Sequence, residues 1–371
     1  MKKMIFIESV AILIGTTIGA GILAIPFVMA KAGFLTGLLV LAVVAVMMVV
    51  INLIIGEITL ASSKLHQLPG YAEKYLGKWG KWSMFYTMLF VLYGALLAYI
   101  IGEGQVLTAL FDGNVTVNSL LFFAVGAFLV YLGLNIVKRF EVYLSLAILL
   151  IIFVIYYFSS THIQTVNLLE FSWSKILIPY GVILTASMGY SSIPQMREIL
   201  NGQENLLKKA IIFGTLIPII VYLFFALIVV GVTGSSTTEL ATIGLGDIVG
   251  TKMIIFGNFF AFIAMATSFL TLGLAVKKTY IQDFKLSNNF AWVLTCSVPL
   301  VLFLSGIHSF VGVISFIGAL AGGLQGVVII LVFMRMKQRD RVTEFHLPHS
   351  WWLAIPMIII FVLGMVTVFI K

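Results

Sequence analysis

Charge is what this chain has least of. Asp, Glu, Lys and Arg make up 10% of its 371 residues, where a soluble domain carries about a quarter. That shortage excludes water as the main environment of its surface. A single cysteine, Cys296, excludes a disulfide framework or a multi-cysteine metal site built within the chain. No GxxxxGK[ST], HExxH or GxSxG segment occurs, and no Ser-His-Asp set lies within the apolar runs, so ATP-driven pumping and hydrolysis have no chemical handle. The alternating segments of about ten residues that mark an outer-membrane barrel are missing too. No linker or low-complexity tract separates a soluble domain from the rest, and neither a cofactor nor a nucleic-acid partner is expected.

What the chain has instead is apolar length. Hydrophobic residues form 61% of it, and its mean hydropathy is +1.15. Runs near the 20 residues that span a bilayer recur from end to end, at 5–31, 34–61, 82–111, 117–136, 141–160, 175–196, 207–233, 248–275, 287–305, 308–334 and 351–370. The first run has no cleavage site behind a short apolar core and reads as a mature helix. The class is an all-α polytopic membrane protein with about 11 spans. With the N-terminus cytoplasmic and the C-terminus outside, only Lys31, Lys175, Lys252 and Lys371 of the 22 basic residues fall outside, as the positive-inside rule expects. The net charge of +8 follows from that bias. Segment 62–81, with Tyr71, Tyr75 and Trp79 among lysines, reads as a short amphipathic helix along the cytoplasmic face.

Two spans are interrupted by composition. Residues 15–26, GTTIGAGILAIP, pack three glycines, two threonines and a proline into the first. Thr185, Ser187, Gly189, Ser191, Ser192 and Pro194 crowd the middle of the sixth. If spans 1–5 (1–160) and 6–10 (175–334) are two halves, each opens with its broken helix. Five spans per half is odd, so the second half enters upside down, and span 11 (351–370) is an appendage. Paired interruptions in an inverted repeat point to a transport site. Glycine costs a helix about 1 kcal/mol relative to alanine, and proline removes a donor. The freed amides suit an anion and the freed carbonyls a cation, an offer that matches a zwitterion. The alternative for such small residues is close packing of neighbouring helices.

GTTIGAGILAIPF in span 1, LPGYAEKYLGKWGK after span 2, SMGYSSIPQMREIL and KKAIIFGTLIPIIVYLFFALIVVGVTG through spans 6–7, and ATSFLTLGLAV in span 8 together carry a resemblance. The chain resembles the amino acid/auxin permease group, especially its prokaryotic tryptophan/tyrosine permeases, within the amino acid–polyamine–cation superfamily and its LeuT-type 5+5 inverted-repeat fold. The resemblance implies that the amides around Gly19, Ala20 and Gly21 receive a substrate carboxylate, and that carbonyls near Ser187, Met188 and Gly189 receive the ammonium. Thr16, Thr17, Tyr190 and Ser191 would complete the pocket. Ala264, Thr267 and Ser268 resemble a sodium-binding pattern, with carbonyls of Gly15 and Ile18 opposite. Against this, threonine and serine in membrane helices commonly bond back to the preceding turn. The coupling ion stays open between H+ and Na+.

Two acids sit within spans, Glu103 in the third and Glu57 at the inner end of the second. Intramembrane acids are costly and suggest proton coupling or gating, although Glu57 is near enough to the interface to pair with a lysine there. Tyr93, Tyr99 and Phe316 are candidate pocket walls, with packing as their alternative. The expected activity is secondary active symport of a neutral amino acid by alternating access. An amino-acid-sensing receptor on the same fold, such as a spore-germinant receptor subunit, is the rival.

Overall fold

The computed structural model describes residues 2–62, 64–133, 151–337, 344–348 and 351–368, and among them every regular element is helical. In chain order these are α1 (Lys2–Thr17), α2 (Gly21–Ala32), α3 (Phe34–Ala61), α4 (Leu68–Phe111), α5 (Val115–Leu132) and α6 (Ile151–His162). Then come α7 (Tyr180–Ala186), α8 (Ile193–Ile199), α9 (Leu207–Thr233), α10 (Ala241–Val249) and α11 (Thr251–Asp283). The chain finishes with α12 (Asn288–Leu304), α13 (Phe310–Ile317), α14 (Gly323–Met336) and α15 (Trp351–Thr367).

Among the described residues six helices are long and apolar enough to cross a membrane, α13 and α14 counting as one through the turn between them, and α1 with α2 makes a seventh, bent by 57°. The remaining expected spans come out shorter, for separate reasons. Span 6 is split into α7 and α8, of seven residues each. The first half of span 5 lies outside the described residues. Spans 9 and 11 appear as α12 and α15, each of 17 residues.

Segment 62–81 is helical from Leu68 onward, and that helix runs on into span 3. Its amphipathic part opens α4, burying Tyr71 and Tyr75 and exposing Trp79, and the helix turns at Gly77, whose φ of 71° glycine adopts at little cost. Desolvation by burial raises the pKa of the Tyr71 hydroxyl, which accepts from the His66 amide at 3.2 Å.

The two broken helices lie side by side. α2 packs on α7 and α1 on α8, so the chain leaves one break and enters the other on the same side of the bundle. They therefore run antiparallel, as an inverted pair must. Helix α9 backs both breaks, and Gly214 lets it close on Leu13: a Cβ there would meet the leucine side chain at 2.8 Å.

Polar ties hold the two ends of the bundle. At one end the Leu35 amide donates to the Glu170 carbonyl at 3.1 Å. At the other, Arg197 of α8 donates to the carbonyls of Thr59 and, at 2.8 Å, Ser62, clamping α8 to the end of α3. Lys277 donates to the carbonyls of Val130 (3.1 Å) and Tyr131 (2.9 Å), satisfying orphan acceptors at the end of α5.

Candidate functional site

The site begins with missing backbone bonds. Between α1 and α2 the amides of Gly19, Ala20 and Gly21 have no backbone acceptor among the described residues, while Ile22 and Leu23 resume with short bonds to the carbonyls of Gly19 and Ala20. Three free N–H groups at the start of a helix form an anion-binding site, reinforced by the helix dipole. In the second break the Ser187 carbonyl accepts from the Gly189 amide at 3.1 Å and the Gly189 carbonyl from Ser192, whereas the Met188 carbonyl accepts nothing among the described residues. An unused carbonyl thus lies in the same region as unused amides.

The glycines divide into two kinds. A Cβ at Gly21 would stand 2.8 Å from Ala186 Cβ and 2.9 Å from its Cα, and one at Gly189 would stand 2.0 Å from Thr17 Oγ1. These two let the breaks touch, as close packing requires. A Cβ at Gly19 meets nothing nearer than Tyr99 Oη at 4.0 Å. Gly19 faces open space.

That space is a cavity of about 370 Å³ lined by α1, α2, α4, α7, α11, α13, α14 and the two breaks. Gly15, Thr16, Thr17, Ile18, Gly19, Ala20, Gly21, Met188, Tyr190, Ser191 and Ser268 all line it; Ser187, Gly189, Ala264 and Thr267 do not. Thr16 and Thr17 each spend the hydroxyl hydrogen on the preceding turn, at 2.8 and 2.7 Å, leaving oxygen lone pairs toward the cavity. Ser187 bonds back to Ile183 at 2.7 Å. Thr267 donates to the carbonyls of Ile263 (2.8 Å) and Ala264 (3.2 Å), so its hydroxyl and the Ala264 carbonyl are committed to each other. Ser268, by contrast, faces the Tyr99 hydroxyl. Thr16 and Ser191 are exposed while Ala20 and Ala186 are buried, so the cavity opens on the α1 and α8 side of the breaks.

The remaining walls are mostly apolar: Met88, Val91, Leu92, Ala95, Ala98 and the Tyr99 ring from α4, Leu272 from α11, Ile314 and Ile317 from α13, with Thr185 and Thr271 donating their hydroxyls to helix carbonyls. Tyr93 instead bonds Tyr280 (2.8 Å) and the Leu294 carbonyl (3.0 Å), and Phe316 packs on Phe90 with a half-exposed ring.

The two acids lie elsewhere. Glu103 is fully buried beside the Ala266 backbone, its carboxyl oxygens without a well-formed hydrogen bond among the described residues, and does not line the cavity. Glu57 forms an ion pair with Lys337, accepts from the Leu347 amide at 2.9 Å and lies 3.6 Å from His346 Nδ1.

Two contributors have little sequence signal. Tyr222, within the apolar run IPIIVYLFFAL of α9, is fully buried and donates to the Thr17 carbonyl (2.8 Å) and the Ala186 carbonyl (2.7 Å), the last residue of the helix on each side of the breaks. One hydroxyl thus serves two carbonyls whose own helix ended. Gln325, on α14, accepts a short hydrogen bond from the Tyr190 hydroxyl and lines the cavity. Its signal is an amide in a glycine cluster, GALAGGLQG (318–326), whose first five residues form a π-helical turn against the second break.

Two antiparallel broken helices around an amphipathic cavity, in an otherwise apolar bundle, define a membrane carrier of small solutes. Comparison with known proteins agrees and narrows the class. The tryptophan/tyrosine permease family model matches residues 2–371, and the chain belongs to that family. It is 26% identical to tyrosine-specific transport system 1 of Haemophilus influenzae, over 96% of this chain and 94% of that protein. It is 24% identical to glutamine transporter 2 of Aliivibrio fischeri, over 91% of each. Among solved structures it is similar to MhsT in complex with L-phenylalanine, with a TM-score of 0.62 at 14% identity, covering 98% of this chain and 97% of that one. The nucleobase-cation-symport-1 family transporter Mhp1 has a TM-score of 0.60 at 14% identity, covering 98% and 89%. The fold is that of the LeuT-type transporters. The protein is a multi-pass membrane amino acid transporter and not an enzyme.

Proposed function

We propose that the chain is a secondary active importer, carrying a neutral amino acid, with the aromatic ones among its candidates, together with H+ or Na+ into the cytoplasm by alternating access. The observation that carries this reading is the shared cavity: free amides of Gly19, Ala20 and Gly21 face one charge of a zwitterion, and the free Met188 carbonyl suits the other. The apolar walls accept a large uncharged side chain. Binding between helices that have two discrete arrangements lets one bundle rock against the other around a fixed site.

With the N-terminus cytoplasmic, as the distribution of lysine and arginine supports, the cavity mouth on the α1 and α8 side faces inward. For the ion, Gly15, Ile18 and Ser268 are the candidates of the coupling-ion set that line the cavity, and their oxygens are the ones proposed to receive it. The commitment of Thr267 to its own helix weakens a sodium site there.

Purified protein in proteoliposomes tests the reading. Labelled tyrosine or tryptophan is expected to accumulate when an inward Na+ gradient or an inward pH gradient is imposed, and the gradient that drives it names the ion. Binding without accumulation or counterflow would instead indicate a sensor, and no binding of any amino acid would overturn the proposal.

A further inference from the structure

The cavity is long, and its two ends differ in chemistry. At one end Tyr99 stands beside Gly19 and Ser268. Met88 lies eleven residues before Tyr99 on α4, about 16 Å along the helix axis. Gln325 lies eleven residues after Ile314, a similar distance along α13 and α14, so Met88 and Gln325 mark the far end, where Tyr190 also sits. The free amides at the start of α2 point along this axis, away from the body of α2 and toward that end.

Gln325 is 3% exposed and belongs to neither break. Its Oε1 accepts from the Tyr190 hydroxyl, which leaves both amide hydrogens without a protein acceptor among the described residues. Gln325 lines the cavity and its nitrogen is not among the sealed, unpartnered polar atoms, so its two donors are left for whatever fills that space, water or solute. Gly322 limits the freedom of the surrounding helix: a Cβ there would stand 2.0 Å from Met188 Cε. The amide is thus held by Tyr190, mounted on a closely packed helix and directed into the substrate cavity.

We propose that Gln325 is a specificity-determining residue. Its amide donates to an oxygen at the tip of an uncharged substrate side chain, a phenol or a carboxamide, and selects it over the same side chain lacking that oxygen. The assignment rests on the amino acid transport reading. Tyr190 holds the Gln325 oxygen and turns the NH2 group, with its two donors, to the substrate, so an oxygen-tipped side chain finds two donors there while an indole finds at most the second lone pair of that oxygen. A charged tip fares worse, since one amide does not offset the desolvation of a carboxylate. A site built to hydrogen-bond a substrate group discriminates strongly against the analogue without it, because its own polar group is then left unpaired.

The experiment is initial-rate uptake into proteoliposomes of L-tyrosine and L-phenylalanine, and of L-glutamine and L-methionine. For the intact protein, at least one oxygen-tipped substrate is expected to have a KM about tenfold or more below that of its partner. Gln325→Met is expected to reduce that ratio to about threefold or less, and Tyr190→Phe, which releases the amide, to narrow it in the same direction. Equal KM values within both pairs for the intact protein overturn the assignment while leaving amino acid transport standing. So does a Gln325→Met variant that weakens both members of a pair alike, as loss of packing would. If Gln325→Met fails to insert, the wild-type ratio and Tyr190→Phe decide the matter. Absence of uptake and binding for every amino acid overturns the transport reading and this assignment together.

Discussion

Tyr222→Phe isolates one oxygen at the point where the two broken helices are joined. The ring stays, so the fully buried packing against the breaks is kept, and only the hydroxyl that serves the carbonyls of Thr17 and Ala186 is removed. In an unbroken helix those carbonyls would accept from the amides of Gly21 and Tyr190, four residues on. Both helices end there, so Tyr222 is their replacement donor. A buried carbonyl stripped of its partner costs about 1–3 kcal/mol, and one shared proton serves two of them. The loss is therefore about 2–4 kcal/mol. If half of it falls on the arrangement that binds substrate, initial uptake drops about five- to thirtyfold. The assays are the melting temperature of the detergent-purified protein, with and without tyrosine, and uptake at saturating and limiting substrate. A melting temperature within about 1 °C of wild type together with unchanged uptake would refute the reasoning, by showing that cavity water takes over the role of the hydroxyl.

The two kinds of glycine should respond differently to a side chain. Gly19→Leu fills open cavity and is expected to abolish uptake with little loss of thermal stability, whereas Gly21→Leu collides with the Ala186 backbone and is expected to lower the melting temperature and the yield of folded protein; equal effects on stability, measured side by side, would count against the distinction. Glu103→Gln keeps the shape of a side chain that has no well-formed hydrogen bond among the described residues and does not line the cavity, so the variant is expected to insert and melt as wild type does. Its uptake across a pH series then separates two roles, since an altered dependence on the pH gradient assigns Glu103 to proton coupling and an unaltered one removes it from transport.

The fold was legible in this sequence because membrane insertion leaves the backbone few choices. Apolar length sets the spans, and only helices satisfy their own hydrogen bonds in lipid, so hydropathy carries most of the architecture. The interruptions were legible for the same reason: glycine, threonine and proline at membrane depth are conspicuous against isoleucine and leucine. The pattern does not say which freed group is used. Ser187 and Gly189 stand in the break as clearly as Met188 does, yet Ser187 turns its hydroxyl back on Ile183 and Gly189 serves as the contact for Thr17. Thr267 likewise looks like a ligand in sequence and spends its hydroxyl on its own helix. Such choices depend on rotamers and on the neighbour across the gap, which spacing along one chain does not encode.

The same limit explains why Tyr222 and Gln325 escape a linear reading. A tyrosine among leucines and phenylalanines looks like filler until the two carbonyls above its hydroxyl are seen to lack helical partners. Those carbonyls lack partners because glycine-rich breaks ended their helices, one near residue 17 and one near residue 186, far apart in sequence and adjacent in space. A broken helix in lipid therefore imposes a requirement on its surroundings: every group it frees must be met by substrate, ion, water or a side chain from another span. Tyr222 meets that requirement permanently, and the amides of Gly19, Ala20 and Gly21 leave it open. Under the proposed function the groups left unmet are the ones that bind and release a solute, so the division between satisfied and unsatisfied backbone is also the division between scaffold and site.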